Sequence, residues 1–151
     1  MPDATDRRIL RQLLADPELA GAELARRAGV TAPTLWRRLQ KLRETGVIIA
    51  EETRIDWRAL GYEVEVSLRF TLDKTNPRAF DEFAAAARAV PEVIEIQTFL
   101  GSVDFRLSVI ARDMAHWQDI YRDRILTLPH VADSDALMLV STIKDSAELP
   151  L

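Results

Sequence analysis

Along residues 1–45 the apolar positions recur every three to four residues, which predicts three short helices. Ile9, Leu10, Leu13 and Leu14 line one face of the first. Asp3 and Asp6 form a D-x-x-D start suited to its positive end, and Asp16-Pro17 stops it. A second helix runs from about Gly21 to Ala28 with Leu24 and Ala25 inward, and Ala28-Gly29 closes it. Gly29-Val30-Thr31 is a tight turn into a third helix, Thr31–Thr45. There Thr31 is the expected N-cap, its hydroxyl accepting from a first-turn N–H, and Pro33 sits in the first turn. Leu35, Leu39 and Leu42 make the stripe that faces a core, and Gly46 ends the helix. Val47-Ile48-Ile49-Ala50 reads as a strand that needs a partner, with the same strand in a second subunit as one candidate.

Beyond residue 61 the period changes to two. Val64, Val66, Leu68, Phe70 and Leu72 alternate with Glu63, Glu65, Ser67, Arg69 and Thr71, which predicts a strand with one buried face. Asn76-Pro77 opens a helix with Phe80, Phe83, Ala84 and Ala87 inward, ending at Val90. After Pro91-Glu92-Val93 a second strand runs to Phe99-Leu100. The short Gly101-Ser102-Val103 link makes the next strand, Asp104 to Ala111, antiparallel to it. The pattern then repeats. Asp113 caps a helix whose apolar face is Trp117, Ile120, Tyr121 and Ile125. Pro129-His130-Val131 recurs 38 residues after the first P-x-V turn, and Leu137 to Ile143 is the expected fourth strand. Strand, helix, strand, written twice, is the ferredoxin-like βαββαβ unit. The doubly apolar last strand favours a covering partner, hence an oligomer.

The fold expected is therefore α+β: a helix-turn-helix, winged-helix-like domain at 1–47, a connector strand and hinge at 48–61, and a ferredoxin-like domain at 62–151. Charge separates the two ends. Residues 1–60 carry 11 Lys or Arg against 9 Asp or Glu, and residues 61–151 carry 9 against 15. Six cations and no carboxylate lie between Arg26 and Arg43. Two helices joined by a Gly-containing turn, the second basic outside, form a helix-turn-helix. A plain αα-hairpin is the other reading of that pattern. In the first, Thr34, Arg37 and Arg38 face bases or phosphates in the major groove of double-stranded DNA, with Thr31 and Pro33 at the leading end. Lys41 and Arg43 lie nearer the backbone, and Arg26 and Arg27 reach phosphates. Trp36 is expected to pack against the first helix or the strand after the third.

Candidate catalysis finds no support in the residue set. The chain has no cysteine, and its two histidines, His116 and His130, fit no metal-ligand spacing and read as solvated. No glycine pattern cradles a phosphate, and Ser102 and Asp104 read as turn residues. No cofactor or metal is expected. No apolar run approaches the roughly 20 residues of a membrane span, and the N-terminus shows no signal segment, so a cytoplasmic protein is expected.

D-A-T-D-R-R-I-L-R-Q-L, E-L-A-R-R-A-G-V-T and L-W-R-R-L-Q-K-L-R-E-T-G-V-I resemble the leucine-responsive/asparagine-responsive (Lrp/AsnC) transcription regulators. G-S-V-D-F in the second half stands where that family has G-x-x-D-[YF]. The resemblance implies a dimer, often assembled to tetramers or octamers, with an amino acid or related metabolite bound between regulatory domains. By position it makes Arg37, Arg38 and Lys41 DNA contacts, and Gly101, Ser102 and Asp104 the border of the effector pocket. Pro2, Leu100 and His130 depart from the family pattern, Leu100 replacing a frequent threonine and His130 a frequent glycine. An architectural DNA-binding protein without effector, and an enzyme like the haem-pathway decarboxylases of similar domain order, are the alternative readings.

Overall fold

Two acidic side chains start the first helix. Asp6 N–H donates to Asp3 Oδ1 at 2.8 Å, and Asp3 N–H donates to Asp6 Oδ2 at 3.0 Å. This reciprocal capping box satisfies two amides that have no partner within the helix. The computed structural model describes residues 1–145 and 149–150, which fall into two units. Met1–Arg54, with the described residues from Ile143 on, forms the first; Ile55–Thr142 forms the second. Ser146 to Glu148 and Leu151, assigned above to the regulatory domain, lie outside the described residues.

The first unit holds α1 (Ala4–Ala15), α2 (Gly21–Ala28) and α3 (Ala32–Glu44). Gly29 takes φ +68° and ψ +40° after α2, and Val30 N–H reaches back to the Ala25 carbonyl at 2.9 Å. That left-handed turn is inexpensive only for a residue without a Cβ. Ile9, Leu24, Ala25, Ala28, Leu35 and Leu39 close a small core, with Leu13, Leu19, Val30 and Ile48 against it. Ala25 is 4% exposed, and its small side chain suits the close approach of the helices.

The strand expected at Val47–Ala50 does not form. The N–H groups of Val47 and Ile48 both donate to the Leu42 carbonyl, at 2.9 and 3.1 Å, and so finish α3. No described segment offers Ile49 and Ala50 a ladder partner, and Ile49 is 89% exposed.

The second unit holds β1 (Val64–Leu72), α4 (Ala79–Arg88), β2 (Val93–Thr98), β3 (Phe105–Ala111), α5 (Met114–Ile120) and β4 (Val131–Met138). A π-helical turn, Tyr121–Ile125, extends α5. The four strands lie in the order β2-β3-β1-β4, each antiparallel to its neighbour. That order with these crossovers is the ferredoxin-like arrangement. Val66 opposes Val109 and Leu68 opposes Leu107, so both strands turn the same apolar set toward the helices. Phe83 of α4 fills the centre, its ring 5.0 Å from Phe70 and 4.7 Å from Phe105.

Several boundaries move. α4 ends at Arg88, short of Val90; β2 stops at Thr98, and β3 begins at Phe105. The fourth strand is the larger error, since β4 spans Val131–Met138, not Leu137–Ile143. Its register is set by β1, where Arg69 opposes Asp135 and Val66 opposes Met138. β4 is an edge strand with an exposed face, so polar residues suit it, and its apolar run begins only as it ends.

Phe83 packs between two other rings at zero exposure, so truncating it leaves a cavity the sheet cannot close. Phe83→Ala should cost about 3–5 kcal/mol in urea denaturation. A loss below about 1 kcal/mol would mean that this core repacks freely.

Candidate DNA-binding surface and ligand-binding region

Helix α3 begins at Thr31, whose backbone is extended and whose carbonyl accepts from Leu35 N–H at 2.9 Å. The cap bond expected of its side chain is not made. Thr31 Oγ1 instead donates to Thr34 Oγ1 at 3.0 Å, joining the two threonines of the leading turn. Pro33 sits in that turn, where no N–H is missed. Leu35, Leu39 and Leu42 are buried, which turns Arg37 and Lys41 outward. Trp36 is 57% exposed, and its ring lies against Gly21, where an added Cβ would come within 2.9 Å.

The six cations of residues 26–43 separate into two kinds. Arg26 and Arg27 both donate to Glu23, at 2.6 and 2.8 Å, and Arg43 pairs with Glu51 at 2.6 Å. Hydrogen bonds from Arg26 and then Arg27 hold the Glu23 carboxyl down at about 2. Arg38 Nη1 donates to Asp3 and to Asp6, at 2.7 Å each. The Asp3 carboxyl is likewise held down at about 2, first by the Asp6 amide and then by Arg38. Arg37 and Lys41 are exposed and have no ion-pair partner among the described residues. They lie one turn apart, on the same face as Thr34. The α-helical spacing thus gathers Thr34, Arg37 and Lys41; Glu23, on the turn before them, holds Arg26 and Arg27, Glu51 holds Arg43, and carboxylates distant in sequence hold Arg38. No local pattern announces those carboxylates: Asp3 and Arg38 stand 35 residues apart.

In the second unit, Gly101, Ser102 and Asp104 join β2 to β3. Gly101 and Ser102 are exposed, and the Ser102 carbonyl accepts from the Thr71 hydroxyl at 2.9 Å. Asp104 is 3% exposed. Its Oδ2 accepts from Leu72 N–H at 2.9 Å, and its Oδ1 lies 2.9 Å from Lys74 Nζ. Its own N–H donates to the Phe70 carbonyl at 2.8 Å, and its carbonyl accepts from Phe99 N–H at 3.0 Å. Asp104 therefore fastens the loop to β1 with backbone and side chain together, a role beyond turn chemistry. Lys74, which no motif singled out, supplies the charge on its far side. Phe99 and Leu100 stand exposed beside the loop.

Neither histidine is simply solvated. His116 Nδ1 accepts from Arg112 N–H at 3.1 Å, and His130 Nε2 donates to Glu82 Oε2 at 2.5 Å. His130 also takes φ +61°, a conformation that glycine adopts without strain. Among the described residues no group of three His, Cys, Asp or Glu side chains converges for a metal ion, and no helix is long and apolar enough to cross a membrane.

This geometry coincides with known families. A winged helix-turn-helix DNA-binding model matches residues 2–49, and the Lrp/AsnC ligand binding domain matches residues 65–149, more than half the chain. The chain belongs to the Lrp/AsnC family. It is a transcriptional regulator with a DNA-binding unit ahead of a ligand-binding domain. A proline dehydrogenase transcriptional activator of Rhodobacter capsulatus is 31% identical over 93% of this chain and 92% of its own length. The leucine-responsive regulatory protein of Rhizobium meliloti is 30% identical over 99% and 96%. An AsnC family regulator from Agrobacterium tumefaciens superposes with a TM-score of 0.86 at 31% identity, over 98% of this chain and 96% of that one. A Neisseria meningitidis transcriptional regulator, solved as its L-methionine complex, superposes with a TM-score of 0.90 at 25% identity, over 99% and 97%.

In this Lrp/AsnC regulator the Asp104 carboxyl feels two opposed influences. Burial pushes its pKa up, but the Leu72 amide and Lys74 outweigh that, leaving it below the ordinary 3.8. A carboxyl held low in the folded state adds stability above its unfolded value and loses it as pH falls through the folded one. Asp104→Ala strands the Leu72 amide and should cost about 1–3 kcal/mol at pH 7. In denaturant titrations the gap from wild type should narrow as pH drops below 3.8. A gap independent of pH would show that the charge of Asp104 contributes nothing.

Proposed function

We propose that this regulator binds double-stranded DNA sequence-specifically as a dimer, with α3 as the reading helix, and answers to an amino acid or related small metabolite. Arg37 and Lys41 carry the reading: they are the cations of α3 that no carboxylate among the described residues neutralises. The major groove, about 12 Å wide, admits one helix with its N-terminal half leading. Thr31, Pro33 and Thr34 then sit at the entering end, Arg37 reaches base edges or phosphate, and Lys41 reaches phosphate. Arg26 and Arg27, at the end of α2, approach phosphates with the N–H groups that Glu23 leaves open. Two copies of α3 about 34 Å apart meet successive turns of one DNA face.

Self-association is supported by the apolar residues left exposed at the end of β4 and just after it: Leu137, Met138, Leu139 and Val140. Such runs are uncommon on monomers and are covered in a dimer or larger ring. The effector reading places a small molecule beside Gly101, Ser102 and Asp104, a loop inside the span that matches the ligand-binding domain; a regulator of similar fold was solved with L-methionine. The protein is read as cytoplasmic and without catalytic activity. One observation favours a second reading, an architectural DNA-binding protein without effector. Both oxygens of Asp104 are already engaged by Leu72 and Lys74.

Gel-shift titration of Arg37→Ala should show affinity lowered roughly tenfold or more. With about three phosphates neutralised per subunit, the wild-type dimer's log affinity should fall against log salt with a slope near −5. Lys41→Ala should flatten that slope by about one per subunit. Unchanged affinity in both variants contradicts α3 as the reading helix. A thermal-shift screen of the twenty amino acids separates the two readings of the second unit. A ligand at a hundred times its Kd stabilises by about 2.7 kcal/mol, which raises the melting temperature by several degrees. A flat response to all twenty favours the architectural reading.

A further inference from the structure

Arg38 differs from every other cation of residues 26–43, because two carboxylates of another helix bind it at once. Asp3 Oδ2 and Asp6 Oδ1 each lie 2.7 Å from Nη1. The same two carboxylates form the capping box of α1, accepting from the Asp6 and Asp3 amides at 2.8 and 3.0 Å. One guanidinium, two carboxylates and two backbone amides thus make one closed network. The Arg38 side chain is 26% exposed, and its Nε is buried without a hydrogen-bond partner among the described residues. To meet a phosphate, Arg38 would have to break two charge-assisted bonds, and the bare carboxylates left behind would repel the same phosphate. Its neighbours face no such competition. Arg37 precedes it, and Thr34 and Lys41 lie one turn to either side, so the roll of α3 at residue 38 sets the aim of all three.

We infer that Arg38 is a positioning residue. Through Asp3 and Asp6 it pins the first turn of α1 to the middle of α3, and it neutralises no DNA phosphate itself. The inference rests on α3 being the reading helix.

The test uses the full-length protein, a duplex of about 40 base pairs enriched from a random pool, and a salt series. Arg38→Met should lower affinity tenfold or more while leaving the slope of log affinity against log salt at its wild-type value. Asp6→Asn keeps an acceptor for the capping box but removes the charge, and should also weaken binding. The double variant should bind no worse than Arg38→Met, since both changes cut one network. A slope flattened by about one per subunit in Arg38→Met overturns the inference, because that is what a lost phosphate contact gives. So does Asp6→Asn binding as tightly as wild type or tighter, the result of releasing a cation toward DNA. If Arg38→Met shows no cooperative melt, Asp6→Asn decides alone by the same criterion. Lys41→Met serves as the control and should flatten the slope. If it changes nothing, the reading of α3 fails and this inference falls with it; if only the Arg38 outcome fails, that reading stands.

Discussion

A chain with 24 carboxylates and 20 Lys or Arg presents a cationic surface to DNA only where its carboxylates are engaged or absent. That constraint orders the first unit. Glu23 holds Arg26 and Arg27, Glu51 holds Arg43, and the capping box of α1 holds Arg38. Of the cations of residues 26–43, what remains without a carboxylate among the described residues is a narrow stripe, Arg37 and Lys41 with Thr34 beside them. Surface ion pairs of this kind add little to stability. Their larger effect is on the field a polyanion meets, because each pair cancels a charge that would bind any phosphate. A few free cations on a rigid helix favour recognition by placement over attraction by bulk charge.

Much of the architecture was legible in the hydrophobic pattern. The period of 3.6 in the first 45 residues and of two after residue 61 marks the α-helical and sheet units, and the repeated P-x-V turn marks the duplication. Edge strand β4 was misplaced because Asp133, Ser134 and Asp135 have no buried face to betray their alternation. The apolar run Val47–Ala50 reads as a strand, but the end of α3 claims two of its amides. Propensity yields there to a local hydrogen-bond demand.

The candidate site was legible only as a set of cations. Which of them are free depends on carboxylates 32 and 35 residues away for Arg38, and on tertiary proximity that no short motif records. Asp104 shows the same limit. Its place in G-S-V-D-F was visible, but not its burial, its bond to the Leu72 amide, or Lys74 on its other oxygen. Asp104 ties the loop to β1, so whatever binds beside the loop acts on a segment already joined to the sheet. A ligand there has a structural route to the strand that pairs with exposed β4.

The central claim is that α3 reads DNA as one of two symmetric copies. Selection of bound sequences from a random duplex pool tests it most directly. The account predicts an enriched motif with twofold symmetry and half-sites about 10 base pairs apart, centre to centre. A pool that stays random after repeated rounds, or a motif without symmetry, would contradict it.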